Sequence, residues 1–255
     1  MTKIPWTDQT WNPIVGCSKI SDGCKNCYAE TMAARLSVML GRIGTGGQTD
    51  AWSAYSSVVT DRRWNGSTAL IASALSKPFL RKKPARFFVG SMGDLFHPSV
   101  PSVWIDQVMA VVSLCSRHIF QLLTKRPERM CEYFERYYAG TPPLPNIWLG
   151  VTAENQAMAD ERIPALLQIP ASKRYISVEP ILGPIEVPDD VLRNLDWVII
   201  GAESGPNRRQ CSLEWVSRLG ILCNCAAVPW FVKQIHDING KLVKSPANWP
   251  REFPI

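Results

Sequence analysis

The stretch that decides the fold reads Asp196-Trp197-Val198-Ile199-Ile200-Gly201-Ala202-Glu203-Ser204. It is apolar from Trp197 to Gly201 without alternation and then turns polar, which is typical of a strand buried on both faces of a parallel sheet. Similar runs start about 20 to 30 residues apart, the length of a strand plus a covering helix. The runs are Arg86–Ser91, His118–Thr124, Asn146–Thr152, Arg174–Val178, Asp196–Gly201 and Val228–Gln234.

Amphipathic segments separate these runs, and a shorter apolar segment, Trp11–Val15, precedes them. The pattern predicts an α/β fold of about seven strand–helix units, a partial or near-complete parallel β/α barrel of the TIM type. We expect a single domain over residues 1–255. The predicted helices are Tyr28–Leu40, Pro101–Ser116, Pro127–Tyr138, Asn155–Gln168 and Ser212–Ala226.

The segment from about 41 to 84 does not follow the repeating pattern. It holds four glycines between Gly41 and Gly47, then Tyr55–Thr60, which is predicted as an exposed strand, and the basic aromatic patch Arg62-Arg63-Trp64. We interpret it as an excursion between the first and second units that covers part of the barrel mouth.

Polar clusters stand at the carboxyl end of each run. In a parallel barrel these ends open on one face, where such folds build their sites. A helix N-cap is the structural alternative for Asp94, Asn155 and Ser204. The clusters are Ser91-Met92-Gly93-Asp94, Thr124-Lys125-Arg126, Thr152-Ala153-Glu154-Asn155, Ser177-Val178-Glu179, Gly201-Ala202-Glu203-Ser204-Gly205 and Lys233-Gln234.

The composition of the chain excludes several classes of protein. Hydrophobic residues make up 46% and charged residues 20% of the 255 residues, which argues against disorder, and no apolar run approaches the roughly 18 residues of a membrane span. The amino terminus lacks the apolar core of a secretory signal, so we expect a cytoplasmic location and reduced thiols. A net charge of +6 permits an anionic partner without requiring one.

Three of the eight cysteines are clustered in a turn-forming stretch, Gly16-Cys17-Ser18-Lys19-Ile20-Ser21-Asp22-Gly23-Cys24-Lys25-Asn26-Cys27-Tyr28. A structural zinc site normally has four protein ligands, and neither a fourth Cys nor a His lies nearby in the sequence. A [4Fe–4S] cluster bound by three thiolates keeps one iron open for a small molecule. We therefore favour the cluster over a zinc site completed by His97 or a distant cysteine.

Several motifs resemble those of the radical S-adenosylmethionine (SAM) superfamily. Cys27-Tyr28-Ala29-Glu30 is similar to the end of the cluster motif near spore photoproduct lyase, although six residues separate Cys17 from Cys24 where the superfamily usually has three. A bacteriophage and prophage family of three-cysteine proteins is more similar still, over nearly the whole chain. The motifs that carry this resemblance are Trp11-Asn12-Pro13, Gly16-Cys17, Ser91-Met92-Gly93-Asp94-Leu95-Phe96, Thr124-Lys125-Arg126-Pro127, Leu149-Gly150-Val151-Thr152 and Gly201-Ala202-Glu203-Ser204-Gly205.

The resemblance implies a barrel of the radical SAM type that uses a [4Fe–4S] cluster and SAM as cofactors. Cys17, Cys24 and Cys27 would bind the cluster, and the open iron would chelate the methionine part of SAM. One electron then cleaves SAM, and the resulting 5′-deoxyadenosyl radical removes a substrate hydrogen atom. An electron donor such as a flavodoxin-like protein is implied as a partner.

The resemblance also implies roles for the polar strand ends. Asp94 is the candidate for the SAM ammonium group and Lys125 for its carboxylate. Lys233 is expected on the substrate side, and Cys211 in a mouth loop would donate hydrogen or bind substrate, with an ordinary free thiol as the alternative. The remaining candidates for SAM contacts are Tyr28, Ser91, Gly93, Thr152, Glu154, Asn155, Ser177, Glu179 and Glu203.

The substrate class follows mainly from the resemblance. Ten tryptophans and basic patches suit nucleic acid, with cations on phosphates and aromatic rings stacking on a flipped base. Spore photoproduct lyase acts on thymine in DNA, and the phage relatives imply DNA modification in the bacterial host cytoplasm. Rearrangement of a hypermodified thymine, or repair of a DNA base, is the leading hypothesis. A small-molecule or peptide substrate and a non-catalytic, metal-stabilised nucleic-acid-binding protein are the alternatives.

Overall fold

The computed structural model describes residues 4–43, 49–205, 207–244 and 246–254. Gly44, Gly46 and Gly47 of the predicted excursion lie outside these residues. Within the described part, the helices are α1 (Tyr28–Ile43), α2 (Asp50–Ser57), α3 (Lys77–Leu80), α4 (Ser102–Leu114), α5 (Pro127–Tyr138), α6 (Gln156–Leu167), α7 (Asp189–Leu192) and α8 (Leu213–Cys225). The strands are β1 (Gln9–Trp11), β2 (Ile14–Val15), β3 (Val59–Thr60), β4 (Arg63–Trp64), β5 (Ala69–Leu70), β6 (Arg86–Val89), β7 (Ile119–Thr124), β8 (Ile147–Thr152), β9 (Lys173–Val178), β10 (Trp197–Gly201), β11 (Trp230–His236) and β12 (Leu242–Lys244).

Eight of these strands form one curled, mostly parallel sheet, a half-barrel, in the order β1-β6-β7-β8-β9-β10-β11-β12. Successive strands from β1 to β11 in this order pair in parallel, and β12 pairs antiparallel with β11. The predicted α/β class and the parallel order of seven strands are therefore confirmed. The five predicted long helices also lie within two or three residues of their expected bounds.

Both faces of the sheet are buried, which explains the continuous apolar runs. Along β10, Val198 and Ile200 join the large core beneath the helices, whereas Trp197 and Ile199 face a second, aromatic cluster on the concave side. Side chains alternate between the faces of a strand, so Glu203 continues the concave row of Trp197 and Ile199. The polar strand ends thus extend a concave aromatic floor.

The chain ends cover the concave side of the sheet. The Trp6 ring lies 4.7 Å from Phe88, and the Phe253 ring lies 5.4 Å from Trp197, between centroids. The Trp197 indole N–H donates to the Glu252 carbonyl at 2.8 Å. These contacts bury the aromatic cluster on the concave side of the sheet.

The predicted first strand is wrong in its bounds. Only Gln9–Trp11 joins the main sheet, while Ile14–Val15 pairs antiparallel with Ala69–Leu70. Pro13 lies between the two segments, and proline cannot donate to a strand ladder, so the chain changes direction there. The Asn12 side chain fixes this bend by accepting hydrogen bonds from the end of β6.

The predicted exposed strand Tyr55–Thr60 is also wrong. Tyr55 is buried in α2, and the strand that follows is only Val59–Thr60. Thr49 caps α2 by accepting a hydrogen bond from the Trp52 amide at 3.2 Å, a start signal that favours a helix. The segment between β1 and β6 then packs over the mouth through a small apolar cluster that includes Met92.

No helix in the described ranges is long and apolar enough to cross a bilayer.

Gly150 provides a test of the concave packing. A Cβ atom at this position would lie 2.4 Å from the Tyr175 ring, which is fixed because its hydroxyl donates to the Leu122 carbonyl at 3.0 Å. We expect Gly150→Ala to lower the free energy of unfolding by about 1–3 kcal/mol, as overpacking does in cores. Urea unfolding followed by circular dichroism measures this loss.

Gly183→Ala is the matched control, because nothing lies within 4 Å of its added Cβ atom. Its unfolding midpoint should stay close to wild type. Equal effects of the two substitutions would contradict the close contact between Gly150 and the Tyr175 ring.

Candidate functional site

A cavity of about 190 Å³ lies at the carboxyl ends of the parallel strands. Its walls combine the concave aromatic floor with polar side chains from successive strand ends and with the three clustered cysteines. The structure therefore brings together most of the predicted site residues. Those that line the cavity are Cys17, Cys24, Cys27, Tyr28, Ser91, Gly93, Asp94, Lys125, Thr152, Ser177, Glu179, Glu203 and Lys233.

Three described residues that were predicted for the site do not line this cavity. Asn155 caps α6, with its side chain accepting from the Met158 amide at 3.0 Å, as the structural alternative predicted. Cys211 is buried, and its amide donates to the His236 imidazole at 3.1 Å. Glu154 lies fully buried beneath the cysteines.

The cysteine loop, defined as Gly16–Cys27, lies directly on the end of β6. The Gly16 amide donates to the Met92 carbonyl at 3.2 Å, and Gly16 has a φ of +96°. A Cβ atom on Gly93 would lie 2.9 Å from the Gly16 carbonyl oxygen. Glycine at position 93 therefore permits the two backbones to approach. A Cβ atom on Gly16 would instead lie 2.2 Å from the Ser67 carbonyl oxygen, so glycine at this position permits the close approach of the segment before β5.

A buried ion pair fixes the first cysteine. Arg126 donates to Asp94 at 2.8 Å and to both the carbonyl and the hydroxyl of Ser18 at 3.0 Å. Its guanidinium also lies 3.7 Å from the Cys17 sulfur. The side chains of Arg126 and Asp94 are 9% and 7% exposed, so the pair is shielded from water.

Glu154 supports the middle of the cysteine loop. Its carboxylate accepts from the Gly23 amide at 3.3 Å and from Arg162 at 3.0 Å, and the Lys125 ammonium lies 3.7 Å away. Burial acts to raise the pKa of Glu154, but the Lys125 charge, a hydrogen bond from Ser21 and the Arg162 charge act together in the opposite direction and hold the pKa below its ordinary value. The carboxylate is therefore ionised at neutral pH.

Glu203 holds the end of the cysteine loop. Its carboxylate accepts from the Asn26 amide group at 2.9 Å and from the Arg209 backbone at 2.7 Å. Arg209 also donates to the Asp22 carbonyl at 2.9 Å. Burial opposes ionisation of Glu203, yet the hydrogen bonds from Arg209 lower its pKa.

Three carboxylates predicted to contact SAM are thus bound to the cysteine loop or to arginines beside it. The Asp94 oxygens accept from the Thr124 hydroxyl, the Phe96 and Lys125 amides and Arg126. A carboxylate has about four lone-pair sites, so a SAM ammonium would have to displace one of these donors. Sequence reasoning did not identify Arg126, Arg162 and Arg209 as the partners of these carboxylates. The sequence signal for Arg126 is that it follows Lys125 at a strand end.

A further ion pair lies on the cavity wall. The Lys233 ammonium contacts the Glu179 carboxylate, and the two side chains are 15% and 17% exposed. Lys233 lies in the middle of β11, which continues to His236 beyond the predicted strand end at Gln234, and Glu179 directly follows β9. Lys233 therefore faces the cavity as predicted, with its charge balanced by a neighbouring carboxylate.

The Cys17 thiol is protonated in the metal-free chain. Burial, with the nearby Asp94 charge, raises its pKa to about 12, although Arg126 acts in the opposite direction. Binding to a metal requires the thiolate, so a metal at this position has to displace the proton. Arg126 then balances the negative charge that forms on sulfur.

The alternative fourth ligand of a zinc site, His97, is hydrogen-bonded through both ring nitrogens. The His97 nitrogens lie 2.7 Å from the Ser18 and Ser99 hydroxyls, and burial lowers the pKa of His97 to about 4. In the described part of the chain, no three His, Cys, Asp or Glu side chains converge as ligands of one metal ion. In a [4Fe–4S] cluster each thiolate binds a different iron, so its ligands need not converge on a single point.

Residues 1–247 match the model of a protein family described as "Protein of unknown function (DUF5131)". The chain belongs to the DUF5131 family. No curated protein and no solved structure matches the chain. The family match includes the cysteine loop and every residue that lines the cavity.

The buried pair of Arg126 and Asp94 yields a stability test. Arg126→Ala leaves an unpaired buried carboxylate, so we expect the free energy of unfolding to fall by about 3–5 kcal/mol. Chemical denaturation of the metal-free protein measures the loss. The control is Arg193→Ala, which removes a half-exposed ion pair with Asp189 and should leave the unfolding midpoint unchanged. Similar midpoints for the two variants would contradict the anchoring role of Arg126.

The raised pKa of Cys17 yields a test by alkylation. In the metal-free protein, the rate of Cys17 modification by iodoacetamide should keep rising tenfold per pH unit up to about pH 10, because the thiolate stays a minor species below a pKa of about 12. Mass spectrometry of the Cys17 peptide measures the rate. The same residue in urea-unfolded chain should level off near the ordinary thiol pKa, about 8.5. A plateau below about pH 9 in the folded protein would be inconsistent with the buried thiol.

Proposed function

We propose that this protein is a radical SAM enzyme that binds a [4Fe–4S] cluster through Cys17, Cys24 and Cys27 and modifies a base in DNA. The observation that carries the proposal is the place of the three cysteines. They line one cavity at the carboxyl ends of the parallel strands, the face on which β/α barrels build their active sites.

The chemistry of the donor set supports an iron–sulfur cluster. Three sulfur atoms are soft ligands, which suit Fe–S clusters, and the nearby carboxylates are already paired with arginines. Both His97 nitrogens are engaged by serine hydroxyls. The described side chains therefore favour a cluster with three protein ligands over a zinc site with four.

When bound, the cluster and SAM supply a one-electron cleavage that generates a hydrogen-abstracting 5′-deoxyadenosyl radical. The residues of the chain itself bind and orient SAM and the substrate. Lys125 is the candidate for the SAM carboxylate, because its 3.7 Å contact with Glu154 is long enough to be exchanged. Thr152 and Ser177 offer hydroxyls at neighbouring strand ends for the ribose. Asp94 acts mainly by holding Arg126 against the cysteine loop.

The cavity walls exclude water from the reaction. Trp6, Phe88 and Leu123 line its floor, and all belong to the aromatic cluster on the concave side. Tyr28 lines it beside the cysteines, with its hydroxyl donating to the Ser91 carbonyl at 2.9 Å. An apolar floor protects a reactive intermediate from solvent and from stray proton donors.

The substrate part of the proposal is a modified thymine in DNA. A base is flat and apolar on its faces, so it fits a cavity with an aromatic floor and a tryptophan at its side. Lys233 and Glu179 stand on the wall of β9 and β11, where they can pair with polar groups of such a base. The electron would come from a flavodoxin-like donor.

Iron binding and SAM cleavage test the proposal. Anaerobically reconstituted wild type should hold about four iron atoms per chain and form 5′-deoxyadenosine from SAM with dithionite. Cys24→Ala removes one cluster ligand, so both the iron content and the 5′-deoxyadenosine yield should fall to near background. Iron analysis, visible absorbance and chromatography measure these quantities.

Cys225→Ala is the matched control, because Cys225 is exposed at the end of α8. It should retain iron and 5′-deoxyadenosine formation. A full cluster in Cys24→Ala would contradict the ligand assignment, and a colourless wild type with one tightly bound zinc would favour the metal-stabilised binding protein instead.

A further inference from the structure

We propose that the hairpin Val59–Trp64 grips the phosphate backbone of a DNA single strand while one base enters the cavity beside Trp64. The inference rests on the proposed action on a DNA base and assigns the element that recognises the strand.

The hairpin joins the protein surface to the cavity. β3 pairs antiparallel with β4, and the two residues of the turn between them are Asp61 and Arg62. Trp64 lines the cavity, and its amide donates to the buried Glu30 carboxylate at 3.1 Å. Through this contact, the hairpin is fixed to α1, which directly follows the cysteine loop. Its tip is therefore held close to the cavity mouth.

The backbone of the turn is unfavourable for its residues. Asp61 and Arg62 have φ values of +49° and +64°. Two-residue hairpins of this kind prefer Asn or Asp at the first position and Gly at the second, because a side chain is crowded there. The chain thus carries an arginine where glycine would be more stable. Residues held in an unfavourable backbone conformation are common at functional sites.

Two arginines of the hairpin are available to bind phosphate groups. Arg62 and Arg63 are exposed, and neither takes part in an ion pair among the described residues. Lys25 in the cysteine loop is also exposed. Asp61 and Asp22 are the exposed carboxylates of these turns, so the local charge remains positive. The mouth thus attracts a polyanion.

A second basic patch on the protein does not share this location. Lys82 and Lys83 precede β6, so they stand at the amino ends of the strands, opposite the cavity. Their separation from the mouth distinguishes local recognition from general attraction to a basic protein. Lys82 and Lys83 therefore supply an internal control with the same number of positive charges.

Trp64 supplies the contact to a base. The Trp64 side chain lines the cavity and is half-buried. Stacking on an aromatic ring is available to every base. The arginines at the hairpin tip and the Trp64 ring at the end of β4 thus suit a DNA strand whose nucleobase is turned into the cavity.

Binding of a fluorescein-labelled, thymine-rich DNA single strand tests the inference. The double variant Arg62→Ala/Arg63→Ala should raise the Kd about tenfold at low salt and reduce the slope of log K against log salt by about 1.4, the value for two phosphate contacts on a single strand. Fluorescence anisotropy measures both. Lys82→Ala/Lys83→Ala should leave both quantities close to wild type.

Arg62→Gly separates recognition from folding. Glycine relieves the crowded turn, so this variant should have a higher Tm than wild type and yet bind the strand more weakly. A loss of binding caused by misfolding would lower the Tm instead. Equal losses of affinity in the arginine and lysine double variants, or an unchanged Kd in Arg62→Ala/Arg63→Ala, would overturn the role of the hairpin.

The same experiments distinguish this inference from the proposed function. If wild type binds DNA and the arginine variants bind equally well, only the hairpin assignment fails. If wild type does not bind the strand at all but still forms 5′-deoxyadenosine, the DNA substrate and the hairpin assignment fail together, and the radical SAM chemistry stands.

Discussion

Three buried carboxylates at strand ends hold the cysteine loop in place, and the arrangement of the site depends on them. Asp94, Glu154 and Glu203 each pair with an arginine and contact the loop directly or through that arginine. A buried carboxylate is costly unless its lone pairs are satisfied, so each pair specifies where the loop has to lie. The loop itself contributes little regular structure beyond one short 3-10 turn.

This anchoring divides the polar strand ends into two groups. Asp94, Glu154 and Glu203 follow β6, β8 and β10 and are committed to the cysteine loop or to its arginines. Glu179 follows β9, Lys233 lies in β11, and these two pair with each other at the cavity. The two groups therefore alternate along the sheet, because β10 lies between β9 and β11.

Much of the fold was predictable because parallel strands buried on both faces are apolar along their length. The run Asp196–Gly201 and its counterparts gave the correct parallel order, and the amphipathic segments gave the long helices. Errors arose where local and tertiary signals compete. Pro13 divides the expected first strand, and Tyr55 lies in a capped helix although its neighbours resemble a strand. The final contacts of Phe253 with the concave face had no sequence signal.

For the site, the sequence by itself determined the residue types: three cysteines in a glycine-containing turn, and a polar cluster after each buried strand. That much follows from local pattern, since strand ends and turns are encoded nearby. Only the tertiary structure decided that Asp94 is committed to Arg126, that Glu203 is committed to Arg209, and that Trp64 reaches the cavity while Lys82 lies opposite. Partners of a buried charge come from distant strands, and the choice among them depends on which side chains the curled sheet brings within hydrogen-bonding distance.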